Sequence, residues 1–308
     1  MYYNLTIENI IKETFSKYII KDFNIEKSIE VNADQTILEC SKLLSSNGIS
    51  CLIVNSGRKK GIVSRGDILK SLKWADFESY SKSVGDVANY NLIALSYSDS
   101  LWDAIVLISK RNIRQLPILQ GNSIIGFLNI LEILKLILST NAEIFKDFNI
   151  IKDCFADKIK TEESIYEIYD EKSLDVVFKQ SISQVKPIID SLSLIDKNES
   201  INNILTTMQT NNLKNIVVTE FGVSIIGIIS ENDFFNKCFS CQNFQITLPE
   251  LMTLNPHRMR KKHYVGNAMK TMVHFNHRNM ILVDEDNFPI SLITATDLLN
   301  YLVNIWDK

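Results

Sequence analysis

Three stretches of the chain set a hydroxyl three residues ahead of a carboxylate: Gly61-Ile-Val-Ser64-Arg-Gly-Asp67, Gly227-Ile-Ile-Ser230-Glu-Asn-Asp233 and Ser291-Leu-Ile-Thr294-Ala-Thr-Asp297. A weaker copy reads Gly126-Phe-Leu-Asn129-Ile-Leu-Glu132. Two chemistries are open to such a pattern. Where it opens a helix it is a capping box, each side chain satisfying an orphan backbone amide of the first turn. The same carboxylate can also accept hydrogen bonds from the two hydroxyls of a ribose, as acids do in dinucleotide-binding folds. The neighbouring hydroxyl and the free amides of the first turn suit a phosphate. A single copy reads as a cap. Repetition brings in the second reading.

Cations that could meet a phosphate stand just ahead of an apolar strand in three places. Arg114 lies in Asn112-Ile-Arg-Gln-Leu-Pro117, His277 and Arg278 hold the matching place near the C-terminus, and Lys214 lies near it in the third copy. The first copy has uncharged Ser50 there. Guanidinium suits phosphate because its fork is bidentate and always charged; the alternative is a solvated side chain at a strand edge. The densest charge run, His257-Arg-Met-Arg-Lys-Lys-His263, reads as a solvated loop face, with a polyphosphate or nucleic acid as the other reading. The sequence has no phosphate-binding G-x-x-x-x-G-K-[ST], no G-x-S-x-G and no paired metal-ligand histidines. No catalytic residue and no metal ligand is therefore assigned.

The elements that must position these residues also repeat. The four acids are separated by 65, 101 and 64 residues, which makes two pairs with an insert between them. Ahead of each acid lies a helical stretch (36–44, 100–110, 200–209 and 265–273), with apolar residues at three- and four-residue steps such as Leu101, Ile105 and Ile108. Asp34, Asp99 and Asn198 are the expected caps. Short apolar strands follow at 51–54, 116–119, 216–218 and 280–283, then a polar turn and a second strand ending at the Ser or Thr, which is a hairpin signature. Each unit thus reads as a short extended segment, helix, strand, strand and closing helix. One unit of this size cannot bury both faces of a small sheet, and pairing sheet against sheet solves that.

The motif, repeated in pairs after helix-strand-strand units, resembles the CBS domain and its paired form, the Bateman module. The four-unit layout is similar to that of the gamma subunit of the AMP-activated protein kinase. The resemblance implies an α/β fold of four CBS units (β-α-β-β-α) in two Bateman modules that stack into a disc. It sets the first module at 22–140 (units about 22–75 and 83–140) and the second at 181–308 (units about 181–238 and 247–305). Residues 1–21 are expected as a helical segment on the first pair, and 141–180 as an insert or linker with acidic stretches. The resemblance implies further that Asp67, Asp233 and Asp297 hold a ribose with Ser64, Ser230 and Thr294 beside them, and that Arg114, Lys214, His277 and Arg278 reach its phosphates. Asn129 and Glu132 depart from the pattern: Glu132 is one methylene longer, so at most three competent sites are expected.

Bulk properties fit this reading. The 308 residues are 45% hydrophobic and 22% charged, enough for about two domains with real cores. A net charge of -3 gives no general attraction to nucleic acid or anionic membrane. The N-terminus lacks the basic and apolar regions of a secretory signal, and no apolar run is long enough to span a bilayer, so a cytoplasmic protein is expected. The five cysteines are odd in number and scattered, which argues against a disulfide framework; Cys238 and Cys241 form a C-x-x-C read as plain thiols near a helix end. Trp74, Trp102 and Trp306 read as core. The expected role is a regulatory sensor with no cofactor and no catalysis. AMP, ADP, ATP or a related adenosyl ligand would bind to it, and a protein partner or second copy would read its state. The alternative is a non-catalytic scaffold whose repeats are structural and which binds a protein or nucleic acid.

Overall fold

A computed structural model describes residues 7–23, 25–146, 148–151, 174–187 and 192–304. Four helices open the four units: Ile37–Ser46, Leu101–Arg111, Ile201–Thr210 and Val265–His274. The second shows why they form. Ser100 and Asp103 make a reciprocal capping box, Leu101, Ala104, Ile105 and Ile108 line one buried face, and Asn112 ends the helix in the left-handed region. The caps differ from the expected ones. Thr36, Ser100 and Ser200 hold those positions, because the hydroxyl nearest the apolar stripe reaches the third amide. Asp99 instead accepts the amide of Ser96, 2.8 Å away, and shapes the preceding turn.

Every unit builds the same small sheet. Its leading strand runs parallel to the second, which forms an antiparallel hairpin with the third. In unit 1 these are Glu30–Asn32, Cys51–Asn55 and Lys60–Ser64. The same order recurs with Leu95–Ser96, Gln115–Gln120 and Ser123–Asn129, with Leu194–Asp196, Asn215–Glu220 and Ser224–Ser230, and with Arg258–Arg260, Asn279–Val283 and Pro289–Thr294. A residue with positive φ sits in each hairpin turn: Gly57, Gly121, Gly222 and Asn287.

The units pair sheet to sheet. Cys51 and Ile53 of unit 1 are buried against Phe127 of unit 2, with Ile62 and Ile124 beside them. The pair also exchanges its leading segments. Glu26–Lys27 at the start of unit 1 pairs with the last strand of unit 2, and Asn89 at the start of unit 2 bridges Ile62 of unit 1. Thr253–Leu254 at the start of unit 4 likewise pairs with the last strand of unit 3. The small residue that begins the motif has its reason here. A Cβ on Gly126 would overlap the Glu26 carbonyl and stand 2.6 Å from Ile25 Cγ2, and one on Gly227 would stand 2.6 Å from Met252 Sδ.

Helices then join the two pairs. Ala295–Asn304 of unit 4 packs on Leu101–Arg111 of unit 2, where Ser109 donates to Asn300 Oδ1 at 2.8 Å. Arg65–Ser71 of unit 1 packs on Glu231–Phe234 of unit 3, and Gln209 Nε2 donates to the carbonyls of Leu69 and Leu72 at 2.8 and 2.7 Å. One core thus joins units 2 and 4, and another joins units 1 and 3. Trp74, half-buried, meets Phe234, Phe239 and Phe244 edge-on in the latter; Trp102 is half-buried on the former, and Trp306 lies outside the described residues.

The N-terminal helix spans Ile7–Ser16, and Ile11 and Phe15 are buried in the core of units 2 and 4. Residues 1–6 of that expected helix lie outside the described residues. At the described ends of the insert, Phe145 and Phe178 pack at 4.6 Å, and Lys270 Nζ donates to the carbonyls of Phe145 and Phe148. Its acidic stretches, 162–163 and 170–171, lie outside the described residues. Among the described residues no helix is long and apolar enough to cross a membrane.

Candidate functional site

The closing helices carry the repeated acids. Asp67 Oδ2 accepts from the Ser64 amide at 2.9 Å and the Ser64 hydroxyl at 2.6 Å, while the Asp67 amide donates back to Ser64 Oγ at 3.3 Å. Ser230 and Asp233 repeat this at 2.9, 2.6 and 3.3 Å, and Thr294 and Asp297 at 2.7, 2.7 and 3.2 Å. All three caps use Oδ2, so Oδ1 stands outside the cap. In Asp233 that second oxygen meets Lys237 Nζ at 3.3 Å. Asp67 is half-buried and Asp297 is buried.

Unit 2 departs from the others. Asn129 Oδ1 caps alone, taking the amides of Leu131 and Glu132 at 3.0 Å each. Glu132 does not fold back to it and instead pairs with Lys135 at 2.5 Å. Asn129 Nδ2 also donates to Glu26 Oε2 at 3.5 Å, and Glu26 Oε1 accepts the Ser50 amide at 3.2 Å.

A backbone hydrogen bond fixes which residues are equivalent ahead of the hairpins. The first amide of each closing helix donates to the carbonyl of one residue, which is Ser50, Arg114, Lys214 or Arg278 in turn, at 3.4, 3.1, 3.1 and 2.9 Å. The three cations therefore leave the backbone at one and the same place in their units. His277 goes elsewhere. Its ring lies 5.0 Å from that of His257 and 5.9 Å from Phe275, and burial with His257 nearby lowers its pKa.

Tertiary packing draws the cations toward one centre. Arg114 Nη1 of unit 2 reaches Glu231 Oε2 of unit 3 at 3.4 Å. Burial pulls the Arg114 pKa down to about 10; Glu231 and Asp297 oppose this, and Arg278 adds to it. Lys214 is drawn down to about 8 by burial and by Arg114, against the pull of Glu231 and Asp67. Burial raises Glu231, against Arg114, Lys214 and Lys70. Arg278 is lowered by burial, and Cys51, Glu26 and Glu231 work the other way. Cations gathered where water is scarce are short of negative charge.

Glu231 thus contacts Arg114 and lies within electrostatic reach of Lys214, Lys70 and Asp67, and Asp297 acts on Arg114. Asp233 is held by Lys237. Sequence reading missed Glu231, Glu26 and Arg65. Arg65 donates to the carbonyls of Ile49 and Leu44 at 3.1 Å each and covers the Phe235 ring of unit 3. The partner of Glu231 is 117 residues away in the chain, so no local pattern could have shown the pair. Among the described residues, no group of three or more His, Cys, Asp or Glu is arranged to hold a metal ion.

A family model of the CBS domain matches the chain four times, at residues 20–73, 84–139, 179–239 and 249–304. The chain is 26% identical over 120 residues to the uncharacterized protein MJ1232 of Methanocaldococcus jannaschii, a match covering 38% of this chain and 39% of that protein. It therefore spans about two-fifths of that relative's length. It is 28% identical over 108 residues to the CBS domain-containing protein YhcV of Bacillus subtilis, covering 35% of this chain and 76% of that one. Among solved structures, protein MJ1225 of Methanocaldococcus jannaschii, a proposed archaeal homologue of g-AMPK, superposes with a TM-score of 0.69. That match is 17% identical and covers 92% of this chain and 99% of the other, so the two share a four-unit fold.

Proposed function

The chain belongs to the CBS domain family, and from that premise we propose that it is a regulatory protein that binds an adenine nucleotide (AMP, ADP or ATP) and catalyses no reaction. One observation carries the reading: Arg114 of unit 2 meets Glu231 of unit 3 at 3.4 Å, and Lys214 of unit 3 and Asp67 of unit 1 lie within electrostatic reach of the same carboxylate. A carboxylate able to take ribose hydroxyls thus stands with cations able to take phosphate. Oδ2 of Asp67 serves the helix cap, and Oδ1 is the oxygen offered to the sugar. The phosphate lies toward Lys214 and Arg114, whose charged forms burial disfavours and an anion would stabilise. Asp297 with Arg114 forms a second site, and Asp233 a third once Lys237 yields its oxygen. Unit 2 holds no nucleotide, because Glu132 turns to Lys135 and Asn129 is committed to its own helix.

Arg114 and Lys214 come from different pairs, so one phosphate touching both links the two modules, 22–140 and 181–308. The ligand shifts their relative arrangement by its difference in affinity for the two arrangements, and a protein partner reads that shift. The test is thermal unfolding with adenosine, AMP, ADP and ATP. A ligand at a hundred times its dissociation constant stabilises by about 2.7 kcal/mol. At about 2–4 °C per kcal/mol for a protein of this size, the midpoint rises by roughly 5–10 °C. If no adenosine compound moves the midpoint, the reading fails.

A further inference from the structure

Glu231 has no acidic counterpart in the other units, where the residue after the cap is Arg65, Ile130 or Ala295. Its side chain is 16% exposed and crosses from the second pair to Arg114 in the first. It lies on Gly66 of unit 1, where a Cβ would stand 3.3 Å from its Oε1, so the missing side chain leaves room for the carboxylate. Arg114 contacts it at 3.4 Å, Lys214, Lys70 and Arg278 lie within electrostatic reach, and Asp67 is the acid that acts on it as well. A carboxylate set among four cations does for them what a bound phosphate would do.

We propose that Glu231 is an internal stand-in for ligand phosphate, holding the Arg114 and Lys214 cations in the empty protein and giving up that contact when a phosphate ester enters. The inference rests on the nucleotide reading above. It makes Glu231 a specificity-determining residue, since the phosphate gains only the difference between its own contacts and those it replaces. A ligand without phosphate leaves the Glu231 contact in place and meets no such penalty. Displacing Glu231 also breaks an ion pair that joins the two modules, which gives the ligand a direct mechanical output.

The test is calorimetric titration of the full chain with AMP and with adenosine, for wild type and Glu231→Gln. The substitution should tighten AMP by about tenfold or more, the worth of one charge-assisted contact, and leave adenosine unchanged. Unchanged or weaker AMP binding overturns the inference, as does an equal gain for both ligands, which would mark a change in cleft shape and not in charge. Because the amide leaves two cations without a counter-ion, Glu231→Asp serves as a second variant. It keeps the charge but withdraws it by one methylene, and it should raise the ratio of AMP to adenosine affinity by a smaller factor; an unmoved ratio overturns the inference. If neither wild type nor variant binds any adenosine compound, the nucleotide reading falls and takes this inference with it. AMP binding that ignores both substitutions overturns this inference alone.

Discussion

Replacing Asp67 by alanine separates the two tasks its carboxylate performs. The structural task is small. Oδ2 accepts from the Ser64 amide and hydroxyl, and their loss leaves the Asp67 amide still bonded to Ser64 Oγ. Half a capping box at the start of a seven-residue helix is worth about 1 kcal/mol, a fall of roughly 2–4 °C in the unfolding midpoint. The binding task is larger. Two ribose hydroxyls donating to an ionised acid at about 1.5 kcal/mol each make about 3 kcal/mol, or more than a hundredfold in affinity. Asp67→Asn should keep an acceptor for the cap, and with it nearly all the stability, while losing the charge and most of the affinity. The assay pairs denaturant unfolding with titration calorimetry against AMP. Asp67→Ala should lose one site from the stoichiometry with the midpoint nearly held. Full stoichiometry at wild-type affinity in that variant would refute the assignment of the acid to the sugar.

The ammonium of Lys214, held near pH 8 by burial and by Arg114, gives stability a pH dependence. The unfolded chain binds the extra proton between that value and the ordinary lysine range, so stability rises as pH increases from about 8 to about 10.4. Compared by urea unfolding at pH 7.5 and 9.5, wild type should gain relative to Lys214→Met, and equal gains would contradict the burial argument. Cys40, Cys51 and Cys238 are buried thiols whose pKa values are raised by burial, whereas Cys241 is exposed. In a Cys154→Ser background, maleimide should label one thiol in the native protein and the remaining three only on unfolding. Gly126→Ala meets the backbone of the crossing segment and should cost about 1–3 kcal/mol, whereas Gly227→Ala meets mainly a flexible methionine and should cost less. Equal costs in denaturant unfolding would show that the crossing segments are looser than the fold implies.

Much of the fold was legible because its causes are local. The stripe of Leu101, Ile105 and Ile108 needs only neighbours three and four residues away, and the hairpins are marked by apolar runs around polar turns. Cap positions were less legible. Asp34, Asp99 and Asn198 are good capping residues, but Thr36, Ser100 and Ser200 stand closer to the apolar stripe and take the place. The glycine that begins each of the first three motifs could be seen but not explained, since the segment crossing it comes from the other unit of the pair.

The sequence by itself determined the four-unit repeat, its division into two pairs and the acids that open the closing helices. Hydrophobic period, turn chemistry and capping all act within a few residues, and so each leaves a local mark. Tertiary structure alone decided that Arg114 meets Glu231, that Lys214 shares their surroundings with Asp67, and that His277 turns toward His257. Charges feel one another through space and not along the chain, so contacts across 117 residues exist only once the helices of the two pairs have packed.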